Sequence, residues 1–339
     1  MHRATPRRLT WACLLLVLLA GCERRQHLVE QHLLEFGTII EITMIADDLP
    51  RAEALLTEIE ARLRRQRSAW HAWEDSDLSR FNAQLQQSSH AVVAPSLAEL
   101  LELSSRYYDA TDGLFNPALG KLVAAYGFHD ADADSAAIAE IRRDIPGMRD
   151  LRIDGNQATS LNPQLQIDLG GIAKGYAIGQ IGDFLDANGV EHYLVNAGGD
   201  LVTAGNRFGR PWRIGIQNPF APGVVASIEL DGKHSLFTSG NYERRYRQGE
   251  AFRHHIIDPR SGAPSSGQSS ATVLAADPTL ADVAATALMI DGVERHRQLS
   301  ASLGIGDYLV ISEAREIIIS RSLAQKIDLL VRWPTTIID

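Results

Sequence analysis

The spacing of apolar residues predicts a chain in which short strands alternate with amphipathic helices. Residues 36–45 (FGTIIEITMI) are rich in β-branched residues, which favours a strand, and residues 51–67 repeat Leu and Ile at helical spacing. The same helical spacing follows Pro95, and a third helix is expected after Pro117. Residues 131–146 are typical of an exposed, charged helix. This half of the chain is therefore predicted to be mainly helical.

From Leu151 onward the pattern changes to short strands separated by glycine turns. Residues 167–176 combine a strand end, a Gly-Gly turn and the start of a helix that continues with apolar residues at helical spacing. Two strand-like runs flank a second Gly-Gly turn near Gly198. An antiparallel meander is then predicted from three further strands: Trp212–Gln217, Val225–Leu230 and His234–Thr238.

The amino terminus has the features of an export signal. Three arginines precede an uncharged stretch over residues 9–22, which is shorter than the ~20 residues that a membrane-spanning helix needs. The stretch ends in LAGC, which resembles a bacterial lipobox, so Cys22 is the predicted lipidation site. Cys13 would leave with the signal. The mature chain would then have no free thiol, which excludes a disulfide and a cysteine nucleophile.

Composition narrows the possible partners. The 339 residues contain 33 Lys and Arg against 42 Asp and Glu, which gives a net charge of −9, and 45% of the residues are hydrophobic. This profile is that of a globular protein. A protein that neutralises many phosphates is normally basic, so nucleic acid is not expected as the main partner.

The first Gly-Gly turn carries candidate chemistry. Gly170 and Gly171 would let the backbone approach a ligand, and the amide groups of the following helix favour phosphate oxygens. Asp168 and Lys174 would add an acceptor and a cation to the same place. A plain connection between a strand and a helix needs glycine for its geometry too, so the turn alone leaves both interpretations open.

Two later segments add candidate groups. His255 lies beside a strand that leads into an Asp-Pro turn, whereas its neighbour His254 is expected to be structural. Asp282 and Thr286 are four residues apart on a predicted helix of mostly Ala and Leu, so their oxygens face the same way. They could form an internal hydrogen bond or a helix cap. With a backbone carbonyl from a glycine turn, they could instead bind Mg²⁺, which prefers oxygen ligands.

In this order the segments resemble the ApbE-type flavin transferases, the FAD:protein FMN transferase family. The resemblance extends from about Phe36 to the C-terminus. Seven motifs carry it: FGT at 36–38, TDGLFNP at 111–117, DLGGIAKGY at 168–176, NAGGDL at 196–201, TSGNYERRY at 238–246, HIIDPRSG at 255–262 and D-x-x-x-T at 282–286.

The resemblance implies an α+β fold of mixed, largely antiparallel sheets with packed helices, in two lobes that hold FAD between them. It also implies Mg²⁺-dependent transfer of FMN from FAD to a Thr or Ser hydroxyl of a partner redox protein, with release of AMP. Residues 1–21 would be the signal peptide, 22–35 the anchor and a short linker, and 36–339 the flavin transferase domain. The protein would be lipid-anchored at the periplasmic face of the inner membrane.

The family's site residues are carried over to matching positions of this chain. The implied metal ligands are Gly171 through its carbonyl, Asp282 and Thr286. The chemistry of the reaction adds the expected catalytic roles: Asp282 with its metal ion and Lys174 would neutralise charge on the phosphates, and His255 would steer or deprotonate the incoming hydroxyl. The implied FAD contacts are Phe36, Trp70, Leu114, Phe115, Asn116, Asp168, Lys174 and Ile257.

Several positions depart from the family pattern. Phe36 replaces a usual Met, Trp73 competes with Trp70 for the flavin contact, Asn116 stands where many relatives have Asp, and Ala285 stands where some have another carboxylate. A flavin-binding lipoprotein that stores FAD or passes electrons, and an exported solute-binding lipoprotein, are the alternative functions. Hydrolysis of FAD to FMN and AMP remains open as a side activity.

Overall fold

A computed structural model describes residues 26–128, 132–242, 245–248 and 251–339 of the chain. Within these residues no helix is both long enough and apolar enough to cross a membrane. The fold is α+β with largely antiparallel sheets, as predicted. The predicted signal peptide and Cys22 lie outside the described residues.

The helices, numbered in chain order, are α1 Leu49–Trp70, α2 Asp77–Ser88, α3 Pro95–Ala110, α4 Gly120–Ala125, α5 Ser135–Ile141, α6 Ala173–Ala187, α7 Pro278–Ile290, α8 His296–Leu303 and α9 Arg321–Ala324. The strands before α6 are β1 His27–Glu35, β2 Thr38–Ala46, β3 His90–Val92, β4 Leu151–Asp154 and β5 Gln157–Ser160. Those between α6 and α7 are β6 Tyr193–Ala197, β7 Asp200–Ala204, β8 Trp212–Gln217, β9 Val224–Leu230, β10 His234–Gly240, β11 Arg245–Gln248, β12 Ala251–His254, β13 Ile257–Asp258, β14 Ala263–Pro264 and β15 Gln268–Ala275. The last strands are β16 Asp307–Ser312, β17 Ile317–Ser320, β18 Ile327–Leu329 and β19 Thr335–Ile338.

A nine-stranded sheet organises the molecule, in the order β1-β2-β6-β7-β10-β15-β16-β17-β19. Its neighbouring strands are antiparallel except for β17 and β19. One face packs against helices, including α1, α6 and α7, in the largest apolar cluster. The other face packs its leucines and isoleucines against the three-stranded sheet β18-β9-β8. Each sheet face is therefore covered, which buries both sets of apolar side chains.

The first two strands form a hairpin whose two-residue turn is Phe36-Gly37. Both turn residues have positive φ, 53° and 71°, as tight hairpins of this kind require. The prediction of a linker over residues 22–35 is wrong for residues 27–35. They form β1, because their backbone pairs with β2 in antiparallel register from His27 to Glu35.

Two further predictions need correction. The expected meander does not form, because β10 leaves β8 and β9 and pairs instead with β7 and β15 in the large sheet. Its side chains at Leu236 and Phe237 are buried on opposite faces of that sheet. The helix predicted over 131–146 is confined to α5, where Asp134 caps its first turn.

Helices α6 and α7 lie side by side beneath the large sheet and set the geometry described below. α7 is buried almost all around, which explains why its sequence is apolar on every side. A Cβ atom at Gly175 of α6 would lie 2.6 Å from the carbonyl oxygen of Pro278 and 2.7 Å from Cβ of Asp282. Glycine at 175 is thus needed for the two helices to approach this closely.

Candidate active site

One cavity of about 710 Å³ is lined by residues from each of the seven family motifs. Its size is that of a pocket for a small molecule or cofactor. Every predicted site residue except Cys22 lines it: Phe36, Trp70, Leu114, Phe115, Asn116, Asp168, Gly171, Lys174, His255, Ile257, Asp282 and Thr286. Segments that are more than 200 residues apart in the sequence therefore meet at one place.

The Gly-Gly turn and the start of α6 form one wall of the cavity. The Oδ1 atom of Asp168 accepts a hydrogen bond from the amide of Gly170 at 2.9 Å, which fixes the bend of the turn. Helix α6 begins after Ile172, which has no side-chain cap. The amide of Ala173, the first residue of the helix, donates a hydrogen bond to the carbonyl of Leu169 at 2.8 Å. Ala173 and Lys174 line the cavity, so the positive end of the helix dipole lies at its wall and favours an anion there.

Asp282 connects α7 to that helix start. Its Oδ2 atom accepts a hydrogen bond from the amide of Gly175 at 2.8 Å, and the residue is only 5% exposed. The carboxylate thus caps the first turn of α6 from a neighbouring helix. Of the uses that the sequence left open for Asp282, the helix cap is present in the structure.

The predicted metal ligands lie around the same corner of the cavity. A Cβ atom at Gly171 would lie 3.6 Å from the Thr286 hydroxyl. That hydroxyl lies 3.2 Å from the carbonyl oxygen of Asp282, one helical turn back, and 3.1 Å from the hydroxyl of Ser239. Carboxylate, hydroxyl and carbonyl oxygens are the donor types that Mg²⁺ prefers, so these residues fit the ion by chemistry.

The protein offers this corner few charged ligands. Within the described residues, no group of three or more His, Cys, Asp or Glu side chains could hold a metal ion. Ala285 is fully buried in α7 and has no side-chain oxygen to offer. A divalent ion here would complete its shell with water or with the phosphates of a bound nucleotide, which is how Mg²⁺ commonly binds.

Lys174 lies in the first turn of α6 and forms an ion pair with Asp200. Asp200 is 2% exposed, and its Oδ1 atom also accepts a hydrogen bond from the amide of Thr238 at 2.7 Å. Both residues line the cavity. The sequence reasoning missed Asp200, although its position directly after the second Gly-Gly turn was a signal.

Aromatic side chains form another part of the wall. The ring of Phe36 lies 6.4 Å from that of Trp70, and Trp70 makes an edge contact with Tyr176 at 5.5 Å. The indole of Trp70 also donates a hydrogen bond to the carbonyl of Ser96 at 2.8 Å, which holds the ring in place. Trp73 lines the cavity too and is half-buried. Both tryptophans therefore remain candidates for contact with a flavin.

The LFNP turn closes the cavity beside the Gly-Gly turn. Leu114 and Phe115 are each 3% exposed, and the Phe115 ring would lie 3.3 Å from a Cβ atom at Gly171. The Asn116 amide donates to the carbonyl of Pro146 at 2.9 Å and accepts from the amide of Ala118 at 3.1 Å. Asn116 thus holds the turn together as well as lining the cavity.

Ile257 belongs to a separate apolar cluster. This cluster is distinct from the one that contains Trp70 and Phe115. Its other cavity-lining members are Leu119, Val123 and Phe128. The cavity consequently has two apolar borders as well as the polar groups of α6 and α7. A dinucleotide that carries a ring system at each end of a diphosphate has the same alternation.

The two adjacent histidines differ in environment. His254 is buried, its Nε2 atom lies 2.8 Å from the carbonyl oxygen of Ser265, and burial lowers its pKa below the ordinary value of 6.5. Its burial and its contact with the main chain make it a structural residue, as predicted. His255 is half-buried and lines the cavity. Of the two, His255 is the one placed to meet a substrate.

The sequence and the fold both match known proteins. The ApbE family model matches residues 36–309. A FAD:protein FMN transferase of Vibrio cholerae is 35% identical over 289 residues, which cover 83% of this chain and 86% of the relative. One of Rhodobacter capsulatus is 34% identical over 312 residues, 90% of this chain, and the match covers 60% of that relative's length.

Solved structures agree. The ApbE protein of Thermotoga maritima superposes with a TM-score of 0.80 at 27% identity, over 88% of this chain and 99% of that one. The flavin transferase ApbE of Vibrio cholerae gives a TM-score of 0.76 at 30% identity, over 89% and 100%. With its seven motifs gathered around one cavity and a family match over most of its length, this chain belongs to the ApbE family.

Proposed function

We propose that this protein is a FAD:protein FMN transferase. In the proposed reaction, a Thr or Ser hydroxyl of a partner protein attacks the FMN phosphorus of FAD. The new bond joins the hydroxyl oxygen to that phosphorus, the bond from the phosphorus to the AMP oxygen breaks, and AMP leaves. The named function of the Vibrio cholerae and Rhodobacter capsulatus relatives supports this activity. This chain spans 60% of the length of the Rhodobacter relative.

The observation that carries the proposal is the meeting of Asp282, Thr286 and Gly171 with the α6 start in one cavity. Phosphoryl transfer needs little covalent help from a protein, so catalysis depends on position and on stabilising charge. Bound at these three residues, Mg²⁺ would supply Lewis-acid stabilisation of the phosphate oxygens. The substrate's own diphosphate would provide further oxygens.

Other residues of the cavity have separate tasks in this proposal. The positive end of the α6 dipole and the ammonium of Lys174 favour the diphosphate oxygens at this place. Phe36 and a tryptophan at 70 or 73 hold the isoalloxazine, and Ile257 with its cluster covers the other apolar border. His255 accepts the proton of the attacking hydroxyl, because an imidazole titrates near neutral pH.

We also propose that Cys22 carries a lipid that holds the enzyme at the periplasmic face of the inner membrane. The lipobox-like LAGC supports this. Strand β1 begins at His27, so the five residues from Cys22 reach at most about 17 Å. The folded domain would thus stay next to the membrane, close to redox subunits embedded in it.

A reconstitution assay tests the transfer. The protein is incubated with FAD, Mg²⁺ and a candidate acceptor subunit, in its natural form and with the acceptor Thr or Ser changed to Ala. AMP is measured by chromatography, and flavin on the acceptor by its fluorescence in a denaturing gel. We expect AMP and labelled acceptor in equal amounts, and neither with the Ala acceptor or with EDTA.

The other outcomes separate the alternatives. AMP without labelled acceptor would show an FAD hydrolase. Bound but intact FAD would show a storage or electron-transfer protein, and no FAD binding would leave a solute-binding lipoprotein. Each of these three results would contradict the proposed transferase.

A further inference from the structure

The ion pair between Lys174 and Asp200 is unusually buried for a lysine pair. Three of the four lysines form an ion pair with an aspartate within the described residues. In the other two pairs the lysine side chain is 71% or 48% exposed, but Lys174 is 23% exposed and its partner 3%. Burial removes water from both charges, and the free energy of this desolvation exceeds the stabilisation that an exposed ion pair provides. A contribution to stability therefore does not explain this pair well.

Asp200 is held rigidly where it meets the lysine. It is the first residue of β7, directly after the Gly198-Gly199 turn, whose φ values of 67° and 104° suit glycine. The backbone pairing of β7 with β10 ends at Leu201 and Leu236. Beyond that point the Asp200 carboxylate accepts a hydrogen bond from the amide of Thr238 at 2.7 Å. The side chain thus extends the sheet and has little freedom to move.

Lys174, in contrast, has a flexible side chain. Its ammonium sits at the end of four rotatable carbons, and holding it in one place costs rotamer entropy. The rigid Asp200 carboxylate at the cavity wall removes much of that freedom before any ligand binds. A cation that is already in place stabilises developing charge better than one that must be ordered during the reaction.

We propose that Asp200 is a positioning residue, which acts through Lys174 by fixing its ammonium toward the phosphates of the bound nucleotide. This rests on the proposed transferase function. Asp200 itself need not touch the substrate. Its loss should therefore slow the transfer step far more than it weakens FAD binding.

A double-mutant cycle tests the proposal, with the variants Asp200→Asn, Lys174→Met and both together. Asn can still accept the Thr238 amide, so the sheet is preserved while the charge is lost. We expect kcat to fall about 10- to 100-fold in Asp200→Asn, as for a misplaced catalytic group. The KM for FAD, and its Kd from flavin fluorescence, should change less than about threefold. The double variant should be no slower than Lys174→Met alone.

Labelling of lysines gives a readout that is independent of activity. The chain has four lysines, so acetylation of each by limiting acetic anhydride can be followed by peptide mass spectrometry. Without its carboxylate partner the ammonium is no longer held in the ion pair, so the amine is more accessible to the reagent. Acetylation of Lys174 should therefore rise several-fold in Asp200→Asn, while that of Lys121 stays the same. Asp307→Asn, which removes the partner of Lys326 away from the cavity, is the matched control and should keep wild-type kcat.

The outcomes are distinct. Absence of transfer by the wild-type protein would refute the transferase function itself. If the wild type transfers FMN and Asp200→Asn has the same kcat, the positioning role would be overturned. It would also be overturned if the fold-losses in kcat of the two single variants multiplied in the double variant. If Asp200→Asn fails to fold, Asp200→Glu keeps the charge but moves it by one methylene. A lowered kcat in that variant would support the proposal, and wild-type kcat would overturn it.

Discussion

Replacement of Asp282 by Asn should separate the structural task of this carboxylate from its catalytic task. The wild-type Oδ2 atom caps the Gly175 amide at 2.8 Å, and an Asn side chain still offers an oxygen to that amide. The variant loses the negative charge that a divalent ion needs. We therefore expect a large loss of activity with a small loss of stability.

The two magnitudes follow from the contacts. A hydrogen bond to a charged group is worth about 1.5–3 kcal/mol and a neutral one about 0.5–1.5 kcal/mol, so the change should lower the free energy of unfolding by about 1 kcal/mol. Loss of the only carboxylate among the proposed ligands should remove about 3–4 kcal/mol of metal-derived stabilisation, which is about 100- to 1,000-fold in rate.

The assay measures AMP release and acceptor labelling over a series of Mg²⁺ concentrations, together with urea unfolding. Asp277→Asn is the matched control, since Asp277 caps the same helix α7 and Asn caps a helix equally well. We expect this control to keep the wild-type rate. An Asp282→Asn protein with the wild-type rate and an unchanged requirement for Mg²⁺ would refute the metal role of Asp282.

Three further predictions concern other parts of the chain. Phe36→Asn should leave the free energy of unfolding within about 1 kcal/mol of wild type, because Asn suits the positive φ of the turn and only the contact with the Trp70 ring is lost. The KM for FAD should rise in this variant, and an unchanged KM would show that Phe36 does not contact the flavin. Cys22→Ser should move the protein from the membrane fraction to the soluble fraction on centrifugation, and continued membrane association would contradict lipidation. Burial lowers the pKa of His254 and His296 below 6.5, so the unfolded chain binds more protons under acid conditions. The free energy of unfolding should therefore fall as the pH drops through about 6.5 and below, by up to about 1.4 kcal/mol per pH unit for each histidine; a flat profile in urea unfolding would show that neither histidine is held neutral.

Much of the local structure could be predicted from the sequence. Helix α1 and the helix after Pro95 follow from apolar residues at helical spacing, and α6 follows from the Gly-Gly turn and the apolar positions after it. These signals are local, because a helix buries a face that its own residues define. The family resemblance also named the residues that line the cavity, since the motifs keep their order along the chain.

Other features could not be read from local patterns. The prediction of a meander was wrong because strands β8, β9 and β10 have similar apolar character. The sequence pattern does not show that β10 pairs with β7 and β15 in the large sheet while β8 and β9 pair in another sheet, since that choice depends on packing with distant elements. Residues 27–35 form a strand and not the predicted linker, because their backbone pairs with the edge of β2, which is distant information that no local pattern carries.

The motifs, the main helices and the set of groups available for chemistry follow from local sequence patterns, because turns and periodicity depend on neighbouring residues. The pairing of those groups depends on the three-dimensional packing of distant segments. The Asp282 carboxylate reaches the Gly175 amide across 107 residues, and Asp200 meets Lys174 through the junction of two strands and a helix. Such contacts arise from the packing of layers against one another, and no local segment of the chain encodes that packing.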